Sequence, residues 1–315
     1  MPKFTVAIPA YKRQFLDEAI SSCLQQTFPD FEVVIVDDAS PEDLASVVGT
    51  FRDERIRYFR NEKNCGAVNV VDNWNRCLEY AQGEFVICMG DDDRLLPECL
   101  AQYEDLIRKY PSLDVFHAWT QVIDESSQVI ELQESRPEWE SALAMQYYRW
   151  DHRWRQYIGD FCFRTSALRQ YGGFYKLPLA WGSDDVTVFR AAMGKGIANM
   201  QQFGFQYRKS AQTITSSGHP REKAEAHLLE WKWFDAILKG YVCQDAVDSQ
   251  FLSLLRNHQD AHYRAKIGDM MDADLTESLR NLSYWFRRCQ DYGFTKREIL
   301  SLFFHILRRD KKIRW

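Results

Sequence analysis

Along the first two thirds of the chain, apolar residues come in short unbroken runs, with helically spaced apolar positions between them. Phe4-Thr5-Val6-Ala7-Ile8-Pro9-Ala10-Tyr11 reads as a strand stopped by Pro9, and Phe31-Glu32-Val33-Val34-Ile35-Val36 as a β-branched buried strand. Ile56 to Arg60 is a shorter strand, and Phe85 to Met89 another. Between them, Phe15, Ala19, Ile20, Cys23 and Leu24 mark a helix over 14–27, and Val68, Val71, Trp74, Cys77 and Leu78 a helix over 67–81. Ser40 is placed to cap a helix opened by Pro41-Glu42-Asp43. A further helix is predicted from Pro97 to Tyr110. Strand and helix alternate, which predicts a parallel sheet. Leu113 to Ile123 and Gln128 to Leu132, separated by the polar Asp124 to Ser127, form an expected hairpin.

Beyond residue 134 the periodicity weakens. A strand is predicted over 159–164, a helical turn over 166–171, a sharp bend at Gly172-Gly173, and a helix over 186–193 with Ser183 as its cap. A strand over 198–208 and a polar loop from Ser210 to His219 follow. From Pro220 onward long amphipathic patterns take over, interrupted near Gly240, Gly268 and Gly293. The expected organisation is therefore a domain over 1–219 and a helical C-terminal appendage over 220–315.

The 315 residues, 45% of them apolar, can fill a large core. A net charge of -5 and a pI near 5.9 exclude a binder of nucleic acid through a dominant basic face. Eight scattered cysteines without C-x-x-C pairs fit reduced thiols, hence a cytoplasmic location. Phe4 to Ala10 is too short for a secretory signal, and no run of about 18 apolar residues suggests a membrane span.

Two groups of acids change the picture. The strand Phe85 to Met89 empties through Gly90 into Asp91, Asp92 and Asp93. Acids at the carboxyl end of a buried strand stand where open α/β sheets bind ligands. Three adjacent like charges repel one another, and a hard cation such as Mg²⁺ or Mn²⁺ relieves that repulsion while leaving places for phosphate oxygens. The plainer reading is favourable charge at the start of the Pro97 helix, which one aspartate would supply. Asp184-Asp185, after Trp181-Gly182-Ser183, repeat the choice between helix-end charge and chemistry.

Together, Thr5 to Arg13, Val34 to Ser40, Asn64-Cys65-Gly66, and Gly83-Glu84-Phe85 leading to Asp91-Asp92-Asp93 resemble the family 2 glycosyltransferases over about residues 3 to 215. The resemblance implies the GT-A fold, a Rossmann-like, mainly parallel sheet with helices on both faces. It also implies a metal-dependent, inverting transfer of a sugar from a nucleotide-diphosphate sugar, a UDP-sugar by expectation. The acceptor would be a hydroxyl of a saccharide or lipid-linked saccharide in surface polysaccharide synthesis. The sequence departs from the family where Gly90 replaces a frequent Asp, and where Ser210, ending Tyr207-Arg208-Lys209-Ser210, replaces a frequent histidine. The cation is thus expected on Asp91, Asp92 and Asp93, with His219 as substitute ligand. Asp184-Asp185 match the family's Glu-Asp pair, and Asp185 is the preferred base.

For the nucleotide, Pro9, Ala10, Tyr11 and Arg13 are expected around the base edge, with Asp37, Asp38, Arg60, Asn64, Gly66, Asp91 and Asp92 about the rest. Asp37 or Asp38 would equally cap the Pro41 helix. The crowd of aromatics and arginines over 147–157 is either packing or an acceptor site, for which Trp150, Arg153, Trp154 and Trp181 are the candidates. Residues 294–315 carry an apolar helical stripe between basic ends. They are expected to pack on their neighbours, contact a second copy in a homodimer, or rest on the inner face of an anionic membrane. A sugar-phosphate nucleotidyltransferase would show a glycine-rich loop after the first strand, and Pro9 to Arg13 has no glycine. A haloacid-type phosphatase needs a hydrophobic strand before Asp185-Val186-Thr187. A dinucleotide oxidoreductase needs G-x-G-x-x-G. A catalytically inactive carbohydrate-binding scaffold would keep the fold but not need both groups of acids.

Overall fold

The computed structural model describes residues 1–133, 135–210, 218–243 and 245–309. One mixed sheet organises the chain. Its strands are β1 (Phe4–Ala10), β2 (Phe31–Asp37), β3 (Ile56–Arg60), β4 (Phe85–Cys88), β5 (Arg94–Leu95), β6 (Val115–Ile123), β7 (Val129–Leu132), β8 (Trp139–Glu140), β9 (Phe161–Arg164) and β10 (Ile197–Arg208). They lie in the order β3-β2-β1-β4-β9-β6-β10-β5, with β7 beside β6 and β8 beside β10. The pairs β2–β3, β1–β2, β1–β4 and β6–β10 are parallel. Between β4 and β6 runs the antiparallel β9, and β5, β7 and β8 also pair antiparallel. The expected mainly parallel sheet is thus parallel in its first half and mixed in its second, because β9 is inserted from later in the chain.

Both faces of β1 and β2 are buried, and alternation assigns each side chain to a layer. Phe4, Val6, Ile8 and Ala10 of β1 join Phe31, Val33 and Ile35 of β2 against α1 (Leu16–Leu24), α2 (Leu44–Val48) and, further along the sheet, α4 (Cys99–Lys109). Ala7, Val34 and Val36 face the opposite layer. It contains α3 (Val70–Tyr80), α5 (Ala142–Trp150), α6 (Thr165–Gln170) and α7 (Ser183–Ala192).

Several helix starts differ from expectation. Asp43, not Ser40, accepts from the backbone of Ser46 and caps α2. Helix α7 begins at Ser183 rather than 186, because Gly182, with φ of 82°, turns the chain into it. Ser183 Oγ accepts instead from the Leu177 amide at 3.1 Å. Asp184 and Asp185 therefore occupy the first turn of α7.

The last part of the chain is helical, as α8 (Pro220–Gly240), α9 (Ala246–Glu277), α10 (Leu282–Arg288) and α11 (Lys296–Arg309). Gly240 ends a helix as expected, whereas Gly268 lies within α9 without interrupting it. Ala226, Phe234 and Leu238 of α8 and Leu252 and Leu255 of α9 share an apolar cluster with Trp150, Val186 and Phe189. A separate cluster, built on Leu228, Tyr263, Ile267, Met271, Trp285 and Ile299, joins α8 to the later helices. Among the described residues no helix is long and apolar enough to cross a membrane, and all eight cysteines are free thiols.

Candidate active site

The loop after β4 is held by its own acids. Asp91 Oδ2 accepts from the backbone amides of Tyr11 and Lys12, each at 2.6 Å, fastening the acid run to the end of β1. Asp93 Oδ1 accepts from the Arg208 amide at 2.9 Å, fastening it to the end of β10. Asp92 turns toward the Lys12 ammonium, with which it forms an ion pair. Gly90 makes this turn fit, since a Cβ there would stand 2.8 Å from Asp93 Oδ2. Burial, and the charge of Asp92 next to it, push Asp91 up to about 6 against the pull of Lys12. Asp93 is raised well above the carboxylate range, by burial first and then by Asp92. Burial works against the Lys12 ammonium, but Asp91 and Asp92 outweigh it and lift its pKa.

Arg208 is the residue that the sequence did not single out. It is fully buried. Its side chain donates to the Asp92 carbonyl at 2.8 Å, the Asp124 carbonyl at 3.0 Å, Ser127 Oγ at 2.9 Å and Glu18 Oε2 at 2.8 Å. The acid loop, the β6–β7 turn and α1 meet on one guanidinium.

The carboxylates after β2 are tied in the same way. Asp37 accepts from the Ser40 amide at 2.7 Å and from Tyr58 Oη at 2.6 Å, and pairs with Arg60. Asp38 accepts from Asn61 Nδ2 at 2.9 Å and the Cys65 amide at 3.0 Å, while Asn64 Nδ2 donates to the Asp38 carbonyl at 2.9 Å. Gly66, at φ of 77°, turns the loop onward. Ala10 lies opposite Asp37 in the sheet register, next to Pro9 opposite Val36. The Arg13 amide donates to Glu42 at 2.7 Å. Pro9, Ala10, Tyr11, Asp37, Asp38, Arg60, Asn64 and Gly66 are thus gathered at the carboxyl edge of β1, β2 and β3. Tyr11 is 45% exposed, leaving its ring face open at that edge.

The second acidic group reaches the same edge. Asp185 Oδ1 accepts from Arg149 Nε at 2.8 Å and Gln156 Nε2 at 2.6 Å; neither bond uses Oδ2. Burial opposes the Arg149 charge, but Asp185 and Asp184 reverse this and raise its pKa. Asp184 is pushed up to about 8 by burial and by the neighbouring Asp185, against the pull of Arg149. Because β9 runs antiparallel to β4, the segment preceding β9 lies at the carboxyl end of β4. In that segment Gln156 holds Asp185, and Tyr157 stacks on Tyr207 with ring centres 3.8 Å apart. Tyr207 precedes Arg208, which holds the first acid run. The two acidic groups, 90 residues apart in sequence, are therefore joined through the pairs Gln156-Tyr157 and Tyr207-Arg208.

Three expectations are corrected here. Trp150 and Trp154 are 9% exposed and packed, Trp150 edge-on to Phe234 and Trp154 beside Tyr148, so neither presents a face to a sugar. Arg153, which is exposed, pairs with Asp151, lies over the Tyr148 ring and stays an acceptor candidate. His219 caps α8, its Nδ1 accepting from the Arg221 amide at 3.2 Å, and its Nε2 faces Asp274 at 4.0 Å rather than the acid run. The other remaining acceptor candidate, Trp181, is half-buried at the turn into α7, with the Lys223 ammonium 4.4 Å above its ring.

The acid run suits a hard divalent cation. Asp91 and Asp93 each give one oxygen to backbone amides, while Lys12 forms an ion pair with Asp92 and stands 3.7 Å from Asp91 Oδ1. Mg²⁺ or Mn²⁺ bound through one carboxylate, with diphosphate oxygens and water completing the shell, matches such a donor set.

This sheet, with acids after β2 and β4 at its carboxyl edge and a further pair in the first turn of α7, has the architecture of nucleotide-sugar transferases. The model for "Glycosyl transferase family 2" matches residues 5–172, and the chain belongs to that family. Among curated relatives, the GalNAc(5)-diNAcBac-PP-undecaprenol beta-1,3-glucosyltransferase of Campylobacter jejuni is 41% identical over 104 residues, 32% of this chain and 33% of its own. The putative colanic acid biosynthesis glycosyl transferase WcaA of Escherichia coli is 36% identical over 105 residues, 32% of this chain and 37% of its own. These alignments span about a third of each relative. The crystal structure of Staphylococcus aureus TarS 1-349 in complex with UDP-GlcNAc superposes with a TM-score of 0.65 at 20% identity, covering 92% of this chain and 88% of that one. That likeness establishes the GT-A fold.

Proposed function

We propose that the protein is a metal-dependent, inverting glycosyltransferase that moves a sugar from a UDP-sugar to a hydroxyl of a saccharide or lipid-linked acceptor in surface polysaccharide synthesis. The observation that supports this reading is that Gln156, which holds Asp185, sits in the segment at the carboxyl end of β4, the end from which Asp91 to Asp93 leave. Tyr11, Asp37, Asp38 and Arg60 would hold the base and ribose. Asp92 would hold Mg²⁺ or Mn²⁺, which when bound neutralises the diphosphate as it leaves. Lys12 lies within reach of the same charge. Asp185, oriented through Oδ1 by Arg149 and Gln156, would use Oδ2 to take the acceptor's hydroxyl proton. The acceptor oxygen then bonds to the anomeric carbon as the bond to the diphosphate breaks on the opposite face, which inverts the centre.

Thermal shift and hydrolysis measured with UDP-, GDP- and dTDP-sugars, with and without Mn²⁺, test the donor. A Mn²⁺-dependent shift with a UDP-sugar is expected, and no shift with any of them would remove the enzyme reading. Asp185→Asn is expected to lower turnover at least about a hundredfold while UDP still binds. For lipid-linked acceptors, the exposed Leu300 and Phe304 of α11 would lie on the inner membrane surface. Residues 310–315 lie outside the described residues. Pelleting with anionic vesicles, full chain against a version ending at Gly293, tests the contact; equal pelleting would remove it. Sedimentation of the same two proteins tests a homodimer through the C-terminal helices.

A further inference from the structure

The turn that delivers Asp184 and Asp185 into α7 is gripped by the helical appendage. Trp181 Nε1 donates to His227 Nε2 at 2.8 Å, and His227 Nδ1 lies 3.1 Å from Glu230 Oε2. An indole nitrogen only donates, so His227 accepts at Nε2 and carries its proton on Nδ1, which donates to Glu230. Burial holds His227 neutral, lowering its pKa below the usual histidine value. Glu230 also packs under the next residue of the turn, where a Cβ on Gly182 would stand 3.0 Å from Glu230 Cδ. The Lys266 ammonium of α9 stands 3.6 Å from Glu230 Oε2. A line therefore runs from α9 through α8 to the residues immediately before the acids.

A second observation lies behind this line. Trp150, Glu230, His262 and Lys266 line a small cavity between α5, α8 and α9. Trp150 Nε1, Glu230 Oε1 and His262 Nε2 are buried there without a hydrogen-bond partner. Uncompensated polar atoms cost stability, and an apolar filling of the same space would avoid that cost. Packing alone does not explain why this seam is polar. Orientation does, because hydrogen-bonded groups fix a geometry that apolar contacts leave adjustable.

We infer that His227 and Glu230 are positioning residues, through which the appendage holds the Trp181-Gly182 turn so that Asp185 meets the acceptor hydroxyl. The inference rests on the base assignment made above. The appendage is on this view part of the active-site scaffold, and the chemistry depends on helices that contribute no group to the reacting atoms.

The test uses the full chain carrying His227→Ala, His227→Gln, Glu230→Gln or Trp181→Phe. Hydrogen–deuterium exchange over 178–188 is read together with UDP binding. Turnover is read with whichever of the UDP-, GDP- and dTDP-sugars wild type hydrolyses fastest. His227→Ala, Glu230→Gln and Trp181→Phe are expected to speed exchange over 178–188. They should lower kcat about tenfold or more and leave the UDP Kd within about twofold. His227→Gln, whose amide oxygen can accept from Trp181, is expected to recover most of both losses. Unchanged exchange over 178–188 in these variants overturns the inference, as does faster exchange with unchanged kcat. Full turnover by Asp185→Asn would instead sink the base assignment, and absence of hydrolysis by wild type would sink the transferase reading; exchange still judges the grip itself.

Discussion

Arg208 carries its charge out of contact with water and remains there because four of its guanidinium N–H groups meet an oxygen: two carbonyls, a hydroxyl and a carboxylate. Removing that charge strands its partners in a dry place. Arg208→Met is expected to cost about 3 kcal/mol or more, read as a lower urea midpoint, and to weaken UDP binding because the acid loop loses its anchor. Asp184 poses the opposite problem, a carboxyl group that resists ionisation up to about 8. Its native pKa lies above the unfolded one, so its contribution to stability is complete below about pH 4 and is lost as pH rises toward 8. Asp184→Asn should therefore melt above wild type at pH 8, with the difference closing near pH 4.

Among the elements, the loop after β4 shows how little room the acid run leaves. A Cβ at position 90 would meet Asp93 Oδ2, whose carboxylate is pinned by the Arg208 amide and cannot swing aside. Gly90→Ala is expected to cost about 1–3 kcal/mol in denaturant melts. It should also reduce UDP affinity. At this scale the sequence reading and the structure divide clearly. Strands β1, β2 and β4 were legible because both faces are buried, which leaves unbroken apolar runs, and the acids at the ends of β2 and β4 were legible because they follow at once. The insertion of β9 between β4 and β6 was not, since Phe161 to Arg164 is four residues long and nothing local records which strands it will separate. Nor were the partners that hold Asp91 and Asp93, amides 80 and 115 residues away. The crowd of aromatics over 147–157 left two readings open for a physical reason. A face that stacks on sugar and a face that fills a core have the same composition, and only the arrival of α8 and α9 decides between them.

For the molecule as a whole, the helices after residue 219 are not a detachable tail. Phe234, Leu238, Leu252 and Leu255 complete the cluster that buries Trp150, Val186 and Phe189. A chain ending at residue 219 would expose that surface just beneath the turn bearing Asp184 and Asp185. It is expected to accumulate as aggregate, while the full chain unfolds in urea with this cluster and the sheet in one transition. Separate transitions for the sheet and for α8 and α9 would contradict this. The shared core also explains why composition alone suggested a boundary near 220, since amphipathic periodicity changes there while the buried layer continues across it.

The stacked rings of Tyr157 and Tyr207 have a further consequence. Because Gln156 grips one acid and the residue after Tyr207 grips the other, on the proposed function the gap a sugar would bridge is set by two short peptides clamped face to face, like a caliper with its screw tightened. Donors differing in the size of the ring substituent therefore cannot be accommodated by letting one jaw drift. Discrimination among them should follow the thickness of that clamp, and replacing either ring with a small side chain should broaden the range of sugars hydrolysed before it slows the preferred one.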